Sequence, residues 1–128
     1  MKKPLMPLIL IIFLSGCALT PEKIVKNPQK AIENCNKIEN MDERNECFSS
    51  IALNAGILSK GTGVMLCTQI ESNYQRNKCL FDMFTELEKN NRIEEAIDVC
   101  KQINKEGYSE WCESRRNRDS ISVAPSLA

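Results

Sequence analysis

The chain has 128 residues, 42% of them hydrophobic and 27% charged, with seventeen basic and seventeen acidic side chains, which allows one small globular domain. It contains no histidine, and this excludes His-based acid–base catalysis, His-dependent triads and His metal sites together. Setting aside the first sixteen residues and the charges after position 114 leaves twelve basic against sixteen acidic side chains; a mildly acidic body argues against nucleic acid as a partner, because phosphate binding needs a basic surface.

The chain begins with Met1-Lys2-Lys3, a short basic start, followed by an apolar run from Leu8 to Leu14. Such a run is too short to cross a bilayer as a helix and reads as the apolar core of an export signal. Leu14-Ser15-Gly16-Cys17 comes next. These four residues match the lipobox, and over its first seventeen residues the chain resembles bacterial lipoproteins. The resemblance implies that residues 1–16 are a signal peptide cut before Cys17. It also implies that Cys17 carries a diacylglyceryl group and that its new amine takes a further acyl chain such as palmitate. Two or three acyl chains anchor a protein stably where one holds it marginally. A membrane, reached through Cys17, is therefore an expected partner. Ala18 in place of Asp implies, for a double-membraned cell, the outer membrane facing the periplasm. Export also brings an oxidising compartment, in which the six cysteines after Cys17 are expected to form disulfides.

Residues 17–27 carry Pro21 and few large apolar side chains, and read as a lipidated tether. Asn27-Pro28 is a helix start, an N-cap with proline at the first helical position. A first helix is expected from Pro28 to about Glu39, with Ala31, Ile32, Cys35 and Ile38 on one face. Asn40 with Glu43 forms a capping box for the next helix, whose stripe is Cys47, Phe48, Ile51, Ala52 and Ala55. Asn54 to Gly63 is glycine-rich and is expected to end this unit, with Gly61-Thr62-Gly63 as an inter-helix turn. Val64, Cys67 and Ile70 line the following helix, and Ser72 with Gln75 is a second capping box. Cys79, Leu80, Met83, Phe84 and Leu87 form the next stripe, which Asn90-Asn91 breaks. Asn91 with Glu94 reads as a cap for a helix bearing Ile93, Ala96, Ile97, Cys100 and Ile103. Gly107 supplies the last turn. A short final helix then ends in Arg115, Arg116 and Asn117, and residues 115–128 read as a disordered tail.

One spacing underlies this order. Cysteine, eleven residues and cysteine recur at Cys35–Cys47, Cys67–Cys79 and Cys100–Cys112. Each first cysteine has an apolar residue three before it (Ile32, Val64, Ile97) and an isoleucine three after it (Ile38, Ile70, Ile103). The period of 32 to 33 residues lies in the range of helical-hairpin arrays. Six cysteines allow fifteen pairings, and hairpin geometry selects among them. The midpoint of each pair falls at or beside its own turn, so both cysteines sit roughly 9 Å up their helices. Antiparallel helices ~8–10 Å apart hold such residues at bridging distance. Each bridge closes a loop of about a dozen residues and stabilises by around 3 kcal/mol. Residues 28–114 are accordingly expected to be an all-α domain of three disulfide-stapled hairpins stacked as a short solenoid. In period and plan it looks loosely like tetratricopeptide-type repeats, without their Trp-Leu-Gly-Tyr and closing-proline pattern.

Structural zinc needs cysteines two to four residues apart, and redox catalysis favours Cys-x-x-Cys; neither spacing occurs, so no metal or other cofactor is expected. Nucleophiles lack a base, so no enzyme is expected. Four other residues are candidates for binding a partner protein. Arg44 and Arg76 are equivalent, three before the second cysteine, and fit either an acidic partner or a nearby Glu. Tyr108 and Trp111 stand where the other units have Glu43 and Gln75, then Glu46 and Lys78; they fit either an added partner surface or a cover for the open end of the core. The function expected is a non-enzymatic, membrane-anchored scaffold or assembly factor of the envelope, as for a secretion, pilus or conjugation apparatus. The rival is an inhibitor or exclusion lipoprotein that blocks an incoming enzyme or conjugation partner.

Overall fold

Where a short polar side chain can accept from the backbone three residues on, a helix begins. The computed structural model describes residues 19–117 and 123–128, and among them places seven α-helices and no strand. They are α1 (Pro21–Lys26), α2 (Pro28–Asn36), α3 (Met41–Leu58), α4 (Lys60–Cys67), α5 (Asn73–Lys89), α6 (Ile93–Cys100) and α7 (Tyr108–Ser114). Asn27 Oδ1 accepts from the Lys30 amide, Asn40 Oδ1 from Glu43, and Ser72 Oγ from Gln75, each satisfying an amide that the helix itself leaves unpaired. Asn91 does not cap α6. It takes φ 60° and closes α5, with its amide bonded to the Glu88 carbonyl and the Arg92 amide to that of Leu87. Asn tolerates this left-handed conformation and commonly ends helices in that way.

Three disulfides join α2 to α3, α4 to α5 and α6 to α7: Cys35–Cys47, Cys67–Cys79 and Cys100–Cys112, with Cα separations of 5.7, 5.7 and 5.8 Å. The turns are closed alike. The carbonyl of each first cysteine accepts from the amide of the isoleucine three residues on (Ile38, Ile70, Ile103) at 3.0–3.1 Å. The first helix of unit one therefore stops at Asn36 and not near Glu39: its last apolar residue already lies in the turn. The six cysteines and their neighbours form one core with Phe48, Leu66, Leu80, Met83, Phe84 and Leu87.

Two segments fold where the sequence reading expected loose chain. Residues 19–26 are no tether: Thr20 caps α1, Ile24 is fully buried, and Leu19 and Val25 pack against the core. Residues 123–128 return to the body, with Ala124 and Leu127 against the core and the Tyr108 hydroxyl donating to the Pro125 carbonyl. The signal, Cys17 and residues 118–122 lie outside the described residues.

The glycine-rich stretch is no turn either. One extended residue, Ser59, separates α3 from α4, and its hydroxyl accepts from the Thr62 amide. Gly56 and Gly63 lie inside the helices, and both are buried. A Cβ at Gly63 would stand 2.7 Å from the Gly56 Cα and 2.7 Å from Met83 Cε, whereas one at Gly61 would meet nothing within 4 Å. Glycine at 63 thus lets two helix backbones touch. Gly63→Ala should lower stability by about 1–3 kcal/mol, the usual cost of overpacking. Gly61→Ala should be neutral or raise it by up to about 1 kcal/mol through helix propensity and a stiffer unfolded chain. Urea unfolding of the two variants checks the contrast.

Candidate functional site

The four candidate partner residues prove to be structural. Arg44 Nη1 donates to the carbonyls of Ile38 and Glu39 at 2.9 and 3.3 Å, and its Nη2 lies 3.6 Å from the Glu71 carboxylate. Arg76 repeats this one unit later, donating to the carbonyls of Ile70 and Glu71 at 3.0 and 3.3 Å. Each arginine therefore satisfies the free carbonyls at the turn of its own hairpin, a charge-assisted use that leaves no fork for a partner. Tyr108 and Trp111 are 1% and 9% exposed. Their rings meet Phe81 and Phe84 at centroid distances of 5.5–6.2 Å, and the Arg115 guanidinium lies 5.5 Å over the indole. The partner-surface reading of this pair is overturned: the rings cover the end of the core, and burial pushes the Tyr108 hydroxyl pKa up.

The residues that join one hairpin to the next are Asn45 and Asn77, 2% and 3% exposed, the buried polar side chains among the described residues. Asn45 Nδ2 donates to Gln75 Oε1 at 2.6 Å. Asn77 accepts from the Asn104 amide at 3.1 Å and donates to the Asn104 carbonyl at 3.5 Å. Both stand two before a second cysteine; Asn45 reaches the first turn of α5, and Asn77 the turn between α6 and α7. The sequence signal is Arg-Asn-x-Cys at 44–47 and again at 76–79; unit three has exposed Ser109 and Glu110 in place of the Arg-Asn pair. Asn77→Ala removes both hydrogen bonds to the Asn104 backbone and should cost about 1 kcal/mol, read as a lowered urea midpoint with an unchanged slope.

Unit three also carries a set of ion pairs. Arg116 lies 2.8 Å from Glu94, Arg92 2.8 Å from Glu95, and Lys60 3.0 Å from Asp98; Lys101 pairs with Glu113. Hydrogen bonds from these cations hold the carboxyls of Glu94, Glu95, Asp98 and Glu113 below their usual range. A carboxyl whose folded pKa is depressed lends stability above its unfolded value, near pH 4, and loses it as pH falls through the folded value. The melting temperature should therefore stay level from pH 7 to about 5 and fall below about 4. The pairs are partly exposed, so the contribution is modest and high salt should flatten it.

A cleft of ≈ 560 Å³ opens between α3 and α5, lined by Asp42, Asn45, Glu46, Tyr74, Lys78 and Asp82. The Asn45 bond forms part of its floor. Lys78 and Asp82 pair across one turn at 3.0 Å. Asp42 and Glu46, one turn apart on α3, have no ion pair or side-chain hydrogen bond among the described residues, and Tyr74 is 48% exposed beside them. Two unneutralised carboxylates with an aromatic ring can receive a lysine or arginine side chain, through charge and through the ring face. Among the described residues no group of three or more Cys, Asp or Glu is placed to hold a metal ion, and no helix is long and apolar enough to cross a membrane. No protein-family model matches the chain, and comparison with curated proteins and with solved structures finds no match.

Proposed function

We propose that the chain is an envelope lipoprotein, anchored through Cys17, whose disulfide-closed body acts as a docking scaffold for a basic segment of another envelope protein. One observation carries the docking role: the cleft between α3 and α5 presents Asp42 and Glu46, unpaired among the described residues, beside exposed Tyr74. The body supports that role by being stiff. Three short bridges close the three hairpins, and turn carbonyls are occupied by arginine. A surface held in this way loses little conformational freedom on binding. The anchor rests on Leu14-Ser15-Gly16-Cys17 following an apolar run after Lys2-Lys3.

Extended peptides bearing lysine or arginine should bind the full chain, and acidic peptides of the same length should not. Tyr74→Ala, or Asp42→Asn with Glu46→Gln, should weaken binding by about thirtyfold, the effect of losing about 2 kcal/mol at a hot spot, while melting stays within a degree or two. Equal affinity of the variants, or equal binding of acidic peptides, would refute the cleft as the docking site. Cys17→Ser should abolish lipid labelling; normal labelling in that variant would refute the anchor.

A further inference from the structure

The positive charge that the body leaves unused is gathered at one place. Among the described residues every lysine and arginine from Arg44 to Arg116 has a partner: a carboxylate, a carbonyl or a side-chain amide. Lys23, Lys26, Lys30 and Lys37, all on α1, α2 or at the end of α2, have neither an ion pair nor a side-chain hydrogen bond there. Residues 19–37 hold four lysines and two glutamates, whereas residues 38–117 hold ten basic and fourteen acidic side chains. Lys23, Lys26 and Lys30 come together with Leu19 around a shallow depression of ≈ 290 Å³, and Lys37 continues the face beyond Lys30, past Glu33.

Leu19 is two residues from Cys17. At most ~3.5 Å of chain per residue puts it within about 7 Å of the anchored position, less than the ~8 Å over which physiological salt screens charge. Because Leu19 packs against the core and lines the same depression as Lys23, Lys26 and Lys30, the short reach sets that depression beside the anchor. From this juxtaposition we infer that the lysine face of α1 and α2 is a membrane-docking surface that lies on the headgroups of anionic phospholipids beside the lipid on Cys17. The inference rests on the lipoprotein reading above. Anionic headgroups attract the four lysines and repel the acidic remainder, so the body is turned as well as held: α1 and α2 face the bilayer and the other helices point away.

The full lipidated chain, placed in vesicles of phosphatidylcholine alone or mixed with phosphatidylglycerol, is pulsed with an amine-acetylating reagent and mapped by mass spectrometry. Lys23, Lys26 and Lys30 should be labelled several-fold more slowly in the anionic vesicles, Lys60 and Lys89 at the same rate in both, and high salt should remove the difference. Equal rates at Lys23, Lys26 and Lys30 in the two kinds of vesicle would overturn the inference. The mass of the peptide carrying Cys17 reports the lipid separately. If Cys17 is unmodified, the anchor reading fails and the docking face is judged by flotation: the chain should rise with the anionic vesicles. Each Lys→Gln change among the four should then cut partitioning about fivefold, and the four Lys→Arg changes should preserve it. A chain that does not float with anionic vesicles would overturn the face as well.

Discussion

A half-cystine pair twelve residues apart with Cα atoms under 6 Å from each other admits few paths for the chain between. Two short helical stretches must rise and return, and the turn joining them must be tight. The isoleucine amide that closes on the carbonyl of the first cysteine provides that tightness in all three units. This fixes which side of each helix faces its partner. It therefore fixes where Phe48, Leu80 and Phe84 must go, since they follow the second cysteine of units one and two by one to five residues on the same stripe. In a chain this small, with few aromatics to fill a core, crosslinks of this kind do work that burial alone cannot.

Between the units the means differ. Units one and two meet through bare backbone, where Gly56 and Gly63 bring α3 and α4 together under Met83, and through the Asn45 amide. Units two and three meet through rings, with Phe81 and Phe84 against Tyr108 and Trp111, and through Asn77. The buried amides contribute less by attraction than by being costly to leave unmatched, so they fix the seating of each hairpin on the next. Unit three ends the series with arginines bound to glutamates of α5 and α6.

The pairing of the cysteines, the all-helical class and the Asn27, Asn40 and Ser72 caps could be read from spacing, because each depends on residues close in sequence. What could not be read depends on contacts far apart along the chain. Glycine serves a turn and a close helix crossing equally well, so Gly63 could not be assigned before Gly56 and Met83 were placed against it. The single buried Ile24 among lysines and a glutamate gives no period, so in sequence α1 is indistinguishable from a tether. Tyr108 and Trp111 fitted surface and core alike until Phe81 was seen beneath them. In the sequence Asp42 and Glu46 look like any solvated helix face; what sets them apart is the cleft that they line with exposed Tyr74.

The bridges have one more property. In chain order they join the first cysteine after Cys17 to the second, the third to the fourth and the fifth to the sixth. A chain emerging from its N-terminus meets each correct thiol partner as the very next one to appear, across the shortest loop available. An oxidase acting on the chain as it arrives would make native bonds in sequence, without a later round of reshuffling. A free thiol at Cys17 would spoil this order by offering Cys35 an earlier partner. Blocking that sulfur with lipid would leave six cysteines to be counted off in pairs.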